Sequence, residues 1–337
     1  MLIAVLQFLA SAAVIVVAGT FLTKFADEIA ELTGLGRLLV GSVLLAGATS
    51  LPELSVDISA VRLGETDMAV GDLMGSSLFN LLILGVLDSM HRRPTRILSR
   101  ASASHALPAT LSIALTAIAA IAIVINTRAG VSLAGLSLGS WALLAFYIAG
   151  VRVVYLDQRI TAAIVEAEQS TTDESHGTSK RVRLIRAVLG FAAASGVILL
   201  AAPFMAEAAA KIADESGLGG TFVGTTLVAL STSLPELVAS LSALRMGAFD
   251  MAVGNVFGSN AFNMLLLVVL DVFQPGPMFA IISTAHVLTA LSAILVTSIA
   301  VLGQLYHTEE RLLFLEPDGA LIILLVVATL ALLYFAG

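Results

Sequence analysis

The chain has no cysteine, so it forms no disulfide, binds no zinc through thiolates and carries no thiol nucleophile. Charge is scarce as well. Asp, Glu, Lys and Arg make up 12% of the residues, about half the share of a soluble domain. The five histidines, His91, His105, His176, His286 and His307, share no metal spacing such as HExxH, and are read as interfacial or locally satisfied. No nucleophile-base arrangement and no phosphate loop is present, and nothing points to nucleic acid. The expectation is of a protein that is not an enzyme and needs no cofactor.

What fills the space is apolar. Hydrophobic residues account for 58% of the 337 positions and the mean hydropathy is +1.00, which places the chain in a bilayer. A hydrocarbon core of about 30 Å needs roughly 20 apolar residues per helical crossing. Apolar runs bounded by charge or by Gly and Pro place ten crossings near 2–30, 36–62, 66–89, 102–126, 130–152, 184–213, 219–245, 249–272, 278–303 and 316–336. The first run resembles the apolar core of a signal peptide but has no basic residues before it and continues toward Phe25, so it reads as a transmembrane helix.

One stretch differs. Residues 153–183 are polar, mixed in charge and rich in Ser, Thr and Gly, a composition that builds no core, and they read as a linker. The predicted organisation is an all-α polytopic protein with a five-helix block at 1–152, a cytoplasmic linker at 153–183 and a second block at 184–337. Fourteen of the seventeen Lys and Arg lie on the odd-numbered connections and their helix ends, which puts those loops in the cytoplasm and both termini outside.

A shift of 183 residues lays Gly41–Asp88 on Gly224–Asp271, with 27 of 48 positions identical and no gap. The matches include Thr, Ser, Pro, Glu, Arg, Asp, Gly and Asn, which bilayer composition does not favour. Each copy sits in a block of five crossings, and an odd number inverts the second block relative to the first.

Polar chemistry concentrates at two places in each copy. The first is TSLPE, Thr49–Glu53 and Thr232–Glu236, where a proline falls mid-helix, removes a backbone hydrogen bond and frees carbonyls near Ala48 and Ser231. A carboxylate at the bilayer centre costs about 2.5–3.5 kcal/mol on insertion scales and must face a cavity, a partner or an ion. The second is G-x-x-x-G-S-x-x-x-N, Gly71–Asn80 and Gly254–Asn263. Its glycines allow close helix approach. Ser76 with Asn80, and Ser259 with Asn263, lie four apart on one helical face. Hydroxyls, amide oxygens and carboxylates form a hard-oxygen set suited to Na⁺ and Ca²⁺. Serine and threonine in such helices also act as plain helix-helix links. Asp67 and Asp250 read as N-caps, and Asp88 and Asp271 have no evident role.

GATSLPE with GDLMGSSLFN, and LSTSLPE with GNVFGSNAFN, resemble the two alpha repeats of the calcium/cation antiporter superfamily, and are most similar to its Na⁺/Ca²⁺ exchanger branch. The resemblance implies ten helices in two inverted repeats, alternating access, and inorganic cations and the lipid bilayer as partners. It also implies an inner (plasma) membrane location. By motif position, it places ion ligands on Ala46, Thr49, Ser50, Glu53, Ser76, Asn80, Ala229, Thr232, Ser233, Glu236, Ser259 and Asn263. Transported Ca²⁺ and Na⁺ would share them.

Three positions depart from that pattern. Asn263 stands where some members carry aspartate, Asp72 where asparagine is usual, and Asp57 where a small polar residue is usual. Asp57 and Asp72 are therefore candidates to replace the missing carboxylate or to accept a proton; the alternative is that they attract cations at the mouth of a water-filled path. Rival readings are a proton-coupled exchanger of Ca²⁺ or another divalent cation and, in a different class, a passive cation channel.

Overall fold

The computed structural model describes residues 1–90, 105–129, 132–168, 177–216, 231–305 and 317–336. Nearly all of them are helical. Without water to satisfy backbone N–H and C=O groups, an apolar chain in lipid must bond to itself, and a helix does so within one segment. In chain order the helices are α1 (Leu2–Thr33), α2 (Arg37–Thr49), α3 (Leu51–Arg62), α4 (Thr66–Met90), α5 (Ala106–Ala129), α6 (Leu138–Glu168), α7 (Gly177–Ser216), α8 (Leu234–Arg245), α9 (Phe249–Phe273), α10 (Ala285–Leu305) and α11 (Pro317–Ala336). A short antiparallel hairpin, β1 (Ser132–Leu133) and β2 (Leu136–Ser137), precedes α6. Its turn residues Ala134 and Gly135 both take positive φ, 51° and 84°, as a tight hairpin requires.

Among the described residues, seven helices are long and apolar enough to cross a membrane, and α2 with α3 makes an eighth as a broken pair. α11 holds a shorter apolar run, Gly319–Leu333. The first half of the crossing expected at 219–245 lies outside the described residues. Two expected boundaries move. The crossing placed at 130–152 starts only at Leu138, because the hairpin takes up the preceding residues, and it runs on to Glu168. The crossing placed at 184–213 begins at Gly177. Much of the polar stretch 153–183 is thus helical. A helix nucleated in an apolar segment gains one bond for each residue it adds and propagates into polar sequence, as the Thr161 hydroxyl donating to the Asp157 carbonyl at 3.0 Å illustrates.

The chain forms two compact units. The first comprises residues 1–52 and 151–255. Here α1 packs along α7 through small residues, with Ala18, Ala26 and Ala30 of α1 and Ala194 of α7 in one cluster with Leu22 and Ile198. A Cβ added to Gly190 would stand 2.5 Å from Phe25, and one on Gly19 would stand 2.9 Å from Val238. Lipid tails are as apolar as leucine, so helices associate in a bilayer by such close contact rather than by expelling water. Leu9 and Val17 on α1, and Leu189, Leu200 and Phe204 on α7, face outward. Pro203 interrupts the hydrogen bonding of α7, and the Gln7 side chain donates to the neighbouring Phe204 carbonyl at 3.0 Å.

The second unit comprises residues 53–150 and 256–337. Its core joins Val70, Leu73 and Met74 of α4 to Leu115 and Ile123 of α5, and to Met264, Leu267 and Phe279. Two acids hold its ends. Asp67, expected as an N-cap, instead accepts from the Ser283 amide at 2.6 Å and meets His286 Nε2 at 3.0 Å, tying α4 to the start of α10. Asp271, for which the sequence offers no role, accepts from the Ser137 amide at 2.7 Å, the Ser137 hydroxyl at 3.0 Å, the Ser140 hydroxyl at 2.7 Å and the Met278 amide at 2.8 Å. Both of its oxygens are saturated, and it receives the first turn of α6, where a negative charge is favoured.

Hydrogen bonds to a charged acceptor contribute about 1.5–3 kcal/mol each. Asp271→Asn keeps the size but removes the charge and turns an acceptor into a donor facing other donors. It is expected to destabilise the protein by about 3 kcal/mol, read as a lower melting temperature in detergent. An unchanged melting temperature would contradict the clamp.

Candidate cation site

The two TSLPE motifs break their helices in the same way. α2 ends at Thr49, Ser50 takes φ −88° and ψ 3°, and α3 starts at Leu51. In the second copy Ser233 takes φ −89° and ψ 3°, and α8 starts at Leu234. The break therefore falls on the serine, two residues before the proline. Pro52 and Pro235, expected mid-helix, occupy the first turn of a new helix instead, where the missing N–H would have had no partner. Glu53 and Glu236 follow directly and stand in that same first turn. Unbonded N–H groups and the positive end of the helix dipole favour a carboxylate there.

Close backbone approach supports the break. α2 contains one π-helical stretch, Val40–Leu45, a distortion frequent at functional sites. A Cβ on Gly41 would lie 2.6 Å from the Met251 carbonyl oxygen, and one on Gly254 would lie 2.7 Å from that of Leu38. The glycine of the second G-x-x-x-G thus lets α2 and α9 touch backbone to backbone. Its counterpart in the first copy, Gly71, would bring a Cβ to 3.3 Å from His286 Cε1, a side-chain neighbour instead of a backbone one, and Gly75, the other glycine of that motif, has nothing within 4 Å of where its Cβ would be.

Within the first unit the two TSLPE motifs meet. The Ser50 hydroxyl donates to Glu236 Oε1 at 3.3 Å, and Thr49 lies beside the same carboxylate. The Ala46 carbonyl accepts from the Thr49 hydroxyl at 3.2 Å and from the Ser50 amide at 3.0 Å. Asn255 Nδ2 donates to the Ser240 hydroxyl at 3.0 Å and to the Glu236 carbonyl at 3.4 Å. Thr49, Ser50, Thr232, Ser233 and Glu236 are all buried. Ala229 lies outside the described residues.

Within the second unit the two G-S-x-x-x-N motifs meet. Asn80 Nδ2 donates to Asn260 Oδ1 at 3.0 Å, and Asn260 Nδ2 donates to the Ser77 carbonyl at 3.1 Å. Asn263 Nδ2 donates to the Leu73 carbonyl at 3.4 Å and to the Ser77 hydroxyl at 3.5 Å. Glu53, Ser76, Asn80, Ser259 and Asn263 are buried, as is Asp57. Ser77 and Asn260 were not among the expected site residues. They are counterparts under the 183-residue shift and differ in type, a signal present in the alignment but overshadowed by the identical positions around them.

Three of the four asparagine amides on these motifs are turned one way. Asn80, Asn255 and Asn263 each spend the NH₂ on protein acceptors, and each leaves Oδ1 buried with no donor among the described residues. Ser76 Oγ, Ser233 Oγ, Ser259 Oγ and Glu236 Oε2 are in the same condition. A buried oxygen that accepts no hydrogen bond costs about 1–3 kcal/mol, and so many in one protein need an explanation. A hard cation provides one, since it satisfies several lone pairs at once. Among the described residues no three His, Cys, Asp or Glu side chains cluster as a metal centre. The donor set is mixed: hydroxyl, amide and carboxylate.

Comparison with known proteins gives a consistent result. The family model described as "Sodium/calcium exchanger protein" matches residues 3–156 and 186–336. The chain is 28% identical over 253 residues to the putative antiporter CaxA of Alkalimonas amylolytica, covering 74% of this chain and 75% of that one. It is 35% identical over 130 residues to the sodium/calcium exchanger MaX1 of Methanosarcina acetivorans, covering 38% and 37%. A solved structure of the sodium-calcium exchanger NCX_Mj superimposes with a TM-score of 0.71 at 20% identity, over 98% of this chain and 99% of that one.

The two glycine environments predict opposite outcomes. Gly254→Ala must push α2 away from α9 and is expected to cost about 1–3 kcal/mol, whereas Gly75→Ala is expected to be neutral or slightly stabilising because alanine favours helix. Thermal unfolding of both variants checks this, and equal melting temperatures would contradict it.

Proposed function

Because the chain belongs to the sodium/calcium exchanger protein family, we propose that it is a secondary active antiporter that exchanges Ca²⁺ for Na⁺ at one central site built from its two TSLPE and two G-S-x-x-x-N motifs. The observation that carries the reading is the set of buried, donorless oxygens on those motifs, with the asparagine NH₂ groups turned away from them. The site residues are Ala46, Thr49, Ser50, Glu53, Ser76, Asn80, Ala229, Thr232, Ser233, Glu236, Ser259 and Asn263. Glu53 and Glu236 supply two negative charges, which balance one Ca²⁺ or two Na⁺, and the neutral oxygens complete a coordination number of six to eight for Ca²⁺. Sodium ions entering the shared oxygens neutralise the glutamates and release Ca²⁺, so exchange needs no ATP.

The proposed frame is ten crossings in two inverted halves, 1–152 and 184–337, joined by a cytoplasmic linker at 153–183, with both termini outside and the protein in the inner membrane. The identical backbone break at Ser50 and Ser233 supports the duplication, and the bias of Lys and Arg supports the orientation. Inversion is what lets one site open alternately to either side.

A second reading, proton-coupled exchange of a divalent cation, is favoured by one observation: the Asp57 and Asp72 carboxyl groups lie close to each other. One assay separates the two. In proteoliposomes, an outward sodium gradient is expected to drive ⁴⁵Ca²⁺ uptake and a pH gradient alone is not. Glu53→Gln and Glu236→Gln are each expected to lower uptake roughly thirtyfold or more, the scale of losing one member of a buried charge contact. Undiminished exchange in both variants would refute the site, and uptake driven by pH alone would replace sodium with the proton.

A further inference from the structure

The duplicated unit contains a controlled comparison. Positions 57 and 72 in the first copy correspond to 240 and 255 in the second. In the second copy Asn255 Nδ2 donates to the Ser240 hydroxyl at 3.0 Å, a neutral contact between α8 and α9. In the first copy the same two places hold Asp57 and Asp72, and the contact between α3 and α4 becomes one between two carboxyl groups. Asp57 is 1% exposed. Among the described residues no Lys or Arg forms an ion pair with either acid.

A third oxygen belongs to the same face. Ser76 follows Asp72 by one helical turn on α4, is 3% exposed, and its Oγ has no hydrogen-bond partner among the described residues. Asp57 Oδ2 and Asp72 Oδ2 are also buried without one. A proton shared by the two acids would bridge one oxygen of each and leave these three oxygens as they are. A cation would take several of them together and neutralise the pair.

We propose that Asp57, Asp72 and Ser76 form a further sodium position, present in the first repeat alone. It lies one helical turn from Glu53 along α3, displaced toward the α3–α4 turn, because Asp57 follows Glu53 by four residues and Asp72 precedes Ser76 by four. Oxygen-only donors with two carboxylates select a hard ion, and a protein lacking this pair would carry one sodium fewer. The proposal rests on the reading of the chain as a sodium-using exchanger and adds an ion position to it.

The test replaces the acids with the residues the other repeat already uses in this contact. Full-length Asp57→Ser/Asp72→Asn protein and wild type are purified in detergent, and equilibrium ²²Na⁺ binding is counted at constant ionic strength with choline as the replacement ion. The double variant is expected to bind one sodium fewer per chain. Asp72→Asn alone is the second variant should the double one fail to elute as a single species, with the same loss expected. Equal sodium counts would overturn the proposal. If the two proteins then differ only in protons taken up on titration, the pair holds a shared proton instead.

The same preparations keep the two readings apart. Calcium binding is measured with ⁴⁵Ca²⁺ in wild type and in Glu236→Gln. Equal sodium counts alongside calcium binding that depends on Glu236 would remove the Asp57/Asp72 position and leave the central site intact. A one-sodium difference without Glu236-dependent calcium binding would do the reverse.

Discussion

A buried oxygen in a membrane protein must meet a hydrogen-bond donor or a positive charge, and there is no water in the hydrocarbon to supply either. That constraint organises this molecule. It explains why the apolar helices are so regular, since the backbone answers its own needs. It also explains why Asp271 gathers four donors around itself at the end of α9. On the duplicated motifs it is left unmet at Ser76, Asn80, Asn255, Ser259, Asn263, Ser233 and Glu236, where the atoms are oxygens, while away from them Gln304 leaves both its amide nitrogen and its oxygen without a partner among the described residues. Oxygens gathered on one duplicated unit form the kind of donor set that suits a hard cation.

Helix breaks are the second device. A straight transmembrane helix would consume its own polar groups and offer nothing to an ion. Ending α2 at Thr49 and starting α3 at Leu51 places Glu53 in a first turn, where backbone N–H groups lack helical partners and the dipole end is positive. Repetition of the same dihedral angles at Ser233 gives Glu236 the same setting. Proline is needed for this, though not as a disruptor: at the second position of each new helix it fits without loss, and it prevents the preceding helix from continuing through.

The duplication has been used unevenly. Positions that match carry the shared architecture, such as the serine at each break and the glutamate after it. Positions that differ have taken on other work. Even a matching glycine differs in setting, since Gly254 meets the Leu38 backbone and its counterpart Gly71 meets the His286 side chain. Ser77 and Asn260, counterparts in the two copies, serve as acceptor and bridge between them. Ser240 and Asn255 satisfy each other, whereas their counterparts Asp57 and Asp72 face each other as acids. Divergence between the two copies leaves their chemistry free to become asymmetric.

By itself the sequence determined that the chain spans a membrane, that it repeats one unit, and which oxygen-bearing residues that unit concentrates. Hydropathy and a 183-residue self-match are local or linear properties, and they survive without knowledge of any contact. Only the tertiary structure decided where the helices break, which atoms of each amide are spent, and that Asp271 and Asp67 are clamps. It also stretched the flanking helices into a polar segment that composition marks as linker. The physical reason is the same in each case. Whether an oxygen is satisfied depends on a partner more than a hundred residues away, as between Ser50 and Glu236 or Asn80 and Asn260, and no periodicity in the chain encodes which partner arrives.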